Sequence, residues 1–108
     1  MLENHHIIYK KQGGLDFPLN MVKLSSEEHR GNYGPHLNRE KDLELKQWLQ
    51  MQLEEILTKE FYTVEQISTL LSIKPKDAVR AFKRVPYTGQ GIARIEVIKR
   101  LLGGNFYL

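Results

Sequence analysis

The sequence contains no cysteine, which excludes a disulfide framework and every zinc site built from thiolates. It also has no apolar run near the ~20 residues that a membrane-crossing helix needs. The N-terminus lacks the basic and then apolar pattern of a secretory signal. We therefore expect a soluble, cytoplasmic chain with no membrane partner.

Positive charge is only slightly in excess, since the 108 residues have a formal net charge of +3. The two halves differ more, because residues 1–58 carry a balance of −2 and residues 59–108 a balance of +5. A small basic half beside a near-neutral one is typical of a nucleic-acid-binding module joined to another unit. An ordinary basic surface would give the same balance, so charge alone leaves both interpretations open.

The first third of the chain has the pattern of a small β-hairpin followed by a helix. Residues 6–10 are β-branched and aromatic and predict one short strand, and residues 21–24 predict a second. A glycine pair and a proline between them mark a long loop. Ser25 and Glu28 stand at capping-box spacing, which predicts a helix with His29 in its first turns.

Helical patterns dominate the remainder. Leucines at helical spacing predict a long amphipathic helix over residues 38–58, and Trp48 at the edge of that stripe is assigned to the core. Residues 63–84 predict two short helices joined by a turn, the second of which buries Val79 and Phe82. A last helix is expected to stop at the glycine pair that follows Leu102.

The expected fold class is therefore α+β. We predict a hairpin–helix unit in residues 1–37, a connecting amphipathic helix in residues 38–60 and a helix-turn-helix-like module in residues 61–108.

All four histidines lie in the first third of the chain, at His5, His6, His29 and His36. A tag remnant is a poor explanation, because tags carry longer runs and this pair leads directly into a strand; unrelated surface histidines remain an alternative. Adjacent strand residues point to opposite faces, so His5 and His6 cannot normally do the same task. One can bind a divalent cation while the other takes a proton from water, since an ordinary imidazole titrates near pH ~6.5. Phosphodiester hydrolysis needs this division of labour.

The ordered set of a double histidine, a glycine pair, Asn20 and His29 resembles the HNH endonucleases, also called the ββα-metal nucleases. The pattern over residues 4–37 is similar to small HNH proteins of bacteriophages, and its spacing is similar to the nuclease domain of the DNA-cleaving colicins. The resemblance implies a metal-dependent DNA endonuclease of phage or prophage origin, acting in a bacterial host cell.

The resemblance also implies a role for each matched residue. His6 would be the general base that activates water, and His5 and His29 would be metal ligands. Asn20 would tie the loop and orient the His6 ring by hydrogen bonding. His36 departs from the colicin pattern, because it lies seven residues after His29 instead of four; binding the metal, touching the phosphate and lying nearby all remain open.

The metal is not decided by this ligand set. Two or three imidazoles suit Zn²⁺, Ni²⁺, Co²⁺ or Mn²⁺, whereas Mg²⁺ prefers oxygen ligands. Many HNH enzymes nevertheless work with Mg²⁺ or Mn²⁺, so the expected cofactor is a divalent ion.

Basic residues of the second short helix, at Lys76, Arg80, Lys83 and Arg84, fall mostly on one face. Such a face is typical of a recognition helix for double-stranded DNA, and a solvated face of a small helical bundle is the alternative. Arg30, beside the predicted metal ligand, is a candidate contact for the DNA backbone near the cut, together with Lys10, Lys11 and Arg39. A solvated surface charge is an equal alternative for each of them.

Two other functions remain in view: a non-catalytic DNA-binding protein with a structural metal, and a histidine-rich zinc storage or sensor module. The basic helix and the position of Asn20 count against the second. With one active site per chain, a double-strand cut needs a homodimer or two separate events.

Overall fold

The computed structural model of the chain describes residues 2–25 and 38–108. In this part of the chain the fold is mixed α+β, with four α-helices and two antiparallel sheets of two strands each. The elements in order are β1 (Leu2–His6), β2 (Met21–Ser25), α1 (Arg39–Ile56), β3 (Phe61–Tyr62), α2 (Val64–Leu71), α3 (Pro75–Phe82), β4 (Ile92–Ala93) and α4 (Arg94–Leu101). None of these helices, in the ranges described, is long and apolar enough to cross a membrane.

The N-terminal hairpin pairs β1 with β2, and Leu2 lies opposite Ser25 while His6 lies opposite Met21. The second strand is confirmed, but the prediction of a first strand over residues 6–10 was wrong, since β1 ends at His6. The reason is the side chain of Asn20, which bonds to both the N–H and the C=O of Ile8. These bonds replace the strand ladder beyond Ile7, and residues 10–12 then form a short 3₁₀ turn.

The long helix α1 confirms the predicted amphipathic segment to within two residues at each end. It begins after Asn38, whose side-chain oxygen accepts a hydrogen bond from Lys41 N at 3.1 Å. Leu49 and Leu53 are fully buried at i and i+4. The prediction that Trp48 belongs to the core was wrong, because the residue before Leu49 is rotated by ~100° and lies 39% exposed.

Helices α2 and α3 form the predicted pair of short helices joined by a turn. The capping box that opens α2 is confirmed, since Thr63 and Gln66 each bond the other's backbone N–H through their side chains. Phe82 of α3 is buried as predicted, but Val79 is 61% exposed and its assignment to the core was wrong. Ala78, at i−4 from Phe82, takes the core position instead, which turns Val79 toward solvent.

A single hydrophobic core joins the hairpin to the helices. Ile7, Ile8 and Phe17 of the hairpin belong to the same buried cluster as Leu53 of α1 and Ile98 of α4. The helical unit comprises α1 to α4, residues 39–101. The pairing of β3 with β4 closes it, because this pairing brings the chain after α1 beside the start of α4. The hairpin therefore packs against the helical unit through this core.

Candidate active site in the N-terminal hairpin

The two adjacent histidines stand at the end of β1 in different environments. His5 is 2% exposed, and its ring packs edge-on against the ring of Tyr9 with centroids 5.5 Å apart. The His6 side chain is 25% exposed. These exposures agree with opposite faces of a strand, so only His6 of this pair meets solvent to a useful extent.

His6 has a carboxylate partner in the hairpin loop. Its Nε2 lies 2.6 Å from Oδ1 of Asp16, and the second carboxylate oxygen lies 3.1 Å from Lys10 Nζ. The hydrogen bond with His6, followed by that with Lys10, holds the pKa of the Asp16 carboxyl below its usual value. Asp16 is thus a carboxylate at neutral pH and accepts the proton on His6 Nε2.

Asn20 fixes the loop from the inside. The side chain is completely buried, and its oxygen accepts a hydrogen bond from Ile8 N at 2.8 Å. Its Nδ2 donates to the carbonyls of Ile8 at 3.2 Å and of Leu15 at 2.9 Å. The predicted tie of the loop corresponds to these contacts, whereas the hydrogen bond that we expected between Asn20 and the His6 ring is made by Asp16. Asn20 acts on the His6 ring indirectly, because it bonds to the backbone at Ile8, two residues after His6, and at Leu15, the residue before Asp16.

Asp16 was missed in the sequence because no spacing rule links it to His6. The two lie ten residues apart, across a loop whose closure depends on Asn20. The only signal was an acidic side chain within the loop that joins two strands, next to a Phe-Pro pair. Loop carboxylates are common, so this signal is weak by itself.

Close packing also fixes the loop backbone. A Cβ added at Gly14 would lie 1.8 Å from the carbonyl oxygen of Ile8, so no other residue fits without moving the chain. Gly14 N also donates a hydrogen bond to Tyr9 O at 3.0 Å, which ties the end of the 3₁₀ turn back to its start. The loop that carries Asp16 therefore folds tightly back on the end of β1.

A polar network behind His5 joins the hairpin to α1. Tyr9 Oη donates to Asp42 Oδ1 at 2.5 Å, and Lys46 Nζ lies 2.6 Å from the other carboxylate oxygen. The Lys46 ammonium, which is buried, also lies 4.2 Å from the centroid of the Tyr9 ring. Burial, followed by the hydrogen bond to Asp42, raises the pKa of Tyr9 above its usual value, so the phenol remains a donor.

The predicted metal ligands are only partly within the described residues. His29 and His36, together with Arg30, lie outside them. Within residues 2–25 and 38–108, no three His, Cys, Asp or Glu side chains are grouped to hold a metal ion. His5 is the predicted ligand that lies within these residues, and its imidazole is a donor type that divalent ions accept.

The four basic residues predicted on the second short helix are all exposed. Lys76 and Arg80 lie on α3, whereas Lys83 and Arg84 follow its last residue directly. These four residues are called the basic face of α3 below. The exposed side chain of Val79 lies among them and, with Lys76, Arg80 and Lys83, lines a shallow apolar depression. Arg80 also lines a cavity of about 290 Å³ that lies between α3 and the hairpin loop, where Lys10 and Asp16 line it from the hairpin.

Comparison with family models, with curated proteins and with solved structures found no match to this chain. The arrangement of His6, Asp16 and Asn20, together with the exposed basic face of α3, is thus the basis for assigning a function.

Proposed function

We propose that the chain is a metal-dependent DNA endonuclease of the HNH type, of phage or prophage origin, which hydrolyses phosphodiester bonds. Residues 1–37 would form its ββα-metal motif. The observation that carries the proposal is the 2.6 Å contact between His6 Nε2 and Asp16 Oδ1. A partly exposed imidazole held by a carboxylate is the arrangement that general-base activation of a nucleophile requires.

The roles of the two side chains follow from their protonation. Asp16 is ionised and only accepts hydrogen bonds, so Nε2 of His6 carries the proton that they share. The other ring nitrogen, Nδ1, is then the one that takes a proton from the attacking water. The Asp16 carboxylate stabilises the imidazolium that this transfer produces, as the carboxylate of a catalytic triad does.

Asn20 is a positioning residue in this mechanism. Its three hydrogen bonds hold the backbone at Ile8, two residues after His6, and at Leu15, the residue before Asp16. Both members of the pair are therefore attached to backbone that one buried amide keeps in place. A shift of even ~1 Å in such a pair lowers the rate of a positioned reaction strongly.

His5 and His29 would hold the metal ion, and His36 is a further candidate ligand. When bound, a divalent ion such as Mg²⁺, Mn²⁺, Zn²⁺ or Ni²⁺ polarises the phosphate and stabilises the leaving oxygen. His5 is buried against Tyr9, which is itself held by Asp42, so its ring is oriented by packing.

Double-stranded DNA is the proposed partner, bound by the exposed basic face of α3. Lys76, Arg80, Lys83 and Arg84 would contact phosphates, and Arg30 would do so near the cut. Apolar side chains on a recognition helix contact thymine methyl groups, and the exposure of Val79 suits such a contact.

A second candidate function is DNA binding without cleavage, with the metal in a structural role. The same basic face favours this candidate. Residues 38–108, which present the face, contain no histidine, so binding of DNA there needs neither His6 nor a metal ligand. This candidate predicts a salt-dependent complex and no strand breaks.

Cleavage of supercoiled plasmid tests the proposal, with Mg²⁺, Mn²⁺, Ni²⁺, Zn²⁺ or EDTA in separate reactions. We expect metal-dependent nicking that His6→Ala lowers by ~10²–10⁴, the usual cost of removing a general base. Asn4→Ala is the matched control, since Asn4 is an exposed residue of the same strand. No cleavage with any metal, together with a retarded plasmid band, would support the second candidate instead.

A further inference from the structure

One arginine of the last helix connects the hairpin to the helix-turn-helix pair. Arg100 of α4 donates through Nη1 to the carbonyl of Gly13 in the hairpin loop at 2.8 Å. Through Nε it donates to the carbonyl of Ala81 in α3, also at 2.8 Å. A single planar guanidinium thus holds both parts at a fixed separation.

Direct backbone contact supports the same connection at the end of α4. A Cβ added at Gly103 would lie 2.3 Å from the carbonyl oxygen of Gln12 and 3.0 Å from Ile8 Cγ2. The backbone of the hairpin loop therefore packs closely against the chain just after α4. Ile7 and Ile8 continue this contact into the common hydrophobic core.

The connected parts also share one polar cavity. Lys10 and Asp16 line it from the hairpin, and Asp77 and Arg80 line it from α3. Asp16 is the residue that contacts His6, and Arg80 belongs to the basic face. The carboxylate partner of the candidate base and the candidate recognition helix consequently line the same cavity.

We propose that the hairpin and α3 bind one DNA duplex as a single rigid surface, in which Arg100 and Gly103 hold the His6–Asp16 pair at a fixed position relative to α3. DNA as the partner rests on the proposed function. Lys10 and Arg80, which line the cavity from the hairpin and from α3, contact phosphates of the same duplex. The cut then falls at a constant distance from the base pairs that α3 contacts.

Rigidity is tested without DNA or metal, by a distance measurement between two spin labels. Because the chain has no cysteine, Lys11→Cys in the loop and Thr69→Cys on α2 can be labelled alone; both residues are exposed. We expect one narrow distance distribution that widens at least twofold in the Arg100→Met background. Lys99→Gln removes a neighbouring exposed charge and should leave the width unchanged. A broad distribution in the parent, or equal widths with and without Arg100, would overturn the rigid connection.

Two glycine variants test the connection if Arg100→Met does not fold. Gly103 and Gly104 both have positive φ, of 76° and 98°, so alanine strains the backbone at either position. Only the Gly103 Cβ meets the hairpin, since nothing lies within 4 Å of a Cβ at Gly104. We expect Gly103→Ala to widen the distance distribution and Gly104→Ala to leave it narrow. The opposite result would remove Gly103 from the proposal.

DNA binding in EDTA tests the shared surface, measured by fluorescence anisotropy with a duplex of about 30 base pairs, so that cleavage plays no part. Lys10→Gln and Arg80→Gln should each weaken binding roughly tenfold near ~0.1 M salt and lower the slope of log K against log salt by about one. In the Arg100→Met background the Lys10→Gln effect should fall below about threefold.

The outcomes separate this proposal from the proposed function. If Arg80→Gln weakens binding and Lys10→Gln does not, the shared surface is wrong while DNA binding stands. If the parent chain binds no duplex, DNA is wrong as the partner in both the proposed function and this inference. A narrow spin-label distance distribution would then show only that the hairpin and the helices are rigidly connected. Cleavage of plasmid by a chain whose Lys10→Gln variant binds normally would keep the nuclease and overturn the rigid surface.

Discussion

The hairpin and the helical unit are stabilised by different kinds of contact. In the hairpin, the apolar packing of Ile7, Ile8 and Phe17 is supplemented by long-range hydrogen bonds of polar side chains. These are the bonds of the buried Asn20 inside the loop and the half-buried contact between Tyr9 and Asp42 of α1. In the helical unit, buried aliphatic side chains such as Leu53 and Ile98 dominate. Hydrogen bonds are directional and cost much when one partner is lost, whereas apolar packing tolerates changes that preserve volume. The hairpin should therefore be the more sensitive region to near-isosteric substitution.

The largest effect expected from a near-isosteric substitution is at Asn20. Asn20→Asp keeps the shape of the side chain but removes the Nδ2 donor, so the carbonyls of Ile8 and Leu15 face a buried carboxylate. We expect a loss of about 4 kcal/mol in the free energy of unfolding, measured by urea denaturation, because unsatisfied buried groups cost ~1–3 kcal/mol each. Asn4→Asp, on the exposed side of β1, should change it by less than ~0.5 kcal/mol.

Asp42 comes next, because it compensates the charge of the buried Lys46 ammonium. Asp42→Ala should lower the free energy of unfolding by about 3 kcal/mol, the usual cost of leaving one member of a buried ion pair alone. Glu44→Ala removes an exposed carboxylate from the same helix and serves as the control. Equal losses in the two variants would contradict the view that the hairpin depends on this network.

The apolar region provides the opposite case at Leu53, which is fully buried in α1. Leu53→Met conserves volume and should cost less than ~1.5 kcal/mol by urea denaturation, whereas Leu53→Ala should cost ~2–5 kcal/mol. If Leu53→Met destabilised the chain as much as Asn20→Asp, the contrast between the two regions would be lost.

The same contrast explains which features could be predicted from the sequence. The boundaries of α1 and the capping box of α2 depend on neighbours within one helical turn, and both predictions were confirmed. Trp48 and Val79 were assigned to the wrong face because hydrophobicity alone does not give the rotation of a helix. In α3 the small Ala78 is fully buried, while the larger Val79 is not.

The candidate site was harder to predict, because its contacts span the loop. The residue type and the place of Asn20 were recognised, but its hydrogen bonds to Ile8 and Leu15 depend on how the loop closes. The partner of His6 depends on the same closure, and so Asp16 was not among the predicted residues. Directional contacts over ten or more residues leave no periodic pattern in the sequence.

The smallest expected effect is the dependence of stability on the ionisation of Asp16. Its pKa is lowered in the folded chain by His6 and then Lys10, so the carboxylate adds stability above its unfolded pKa of ~3.9. That stability is lost as the pH falls through the lower folded pKa. The side chain is 56% exposed, and solvent screening keeps the effect small. The difference in Tm between the parent chain and Asp16→Asn should therefore close as the pH falls from 5 to below the unfolded pKa of ~3.9. Lys10→Gln, which keeps the carboxyl and its His6 partner, should retain most of this pH dependence. A Tm difference that stays constant over this range would mean that the hairpin gains nothing from the charge of Asp16.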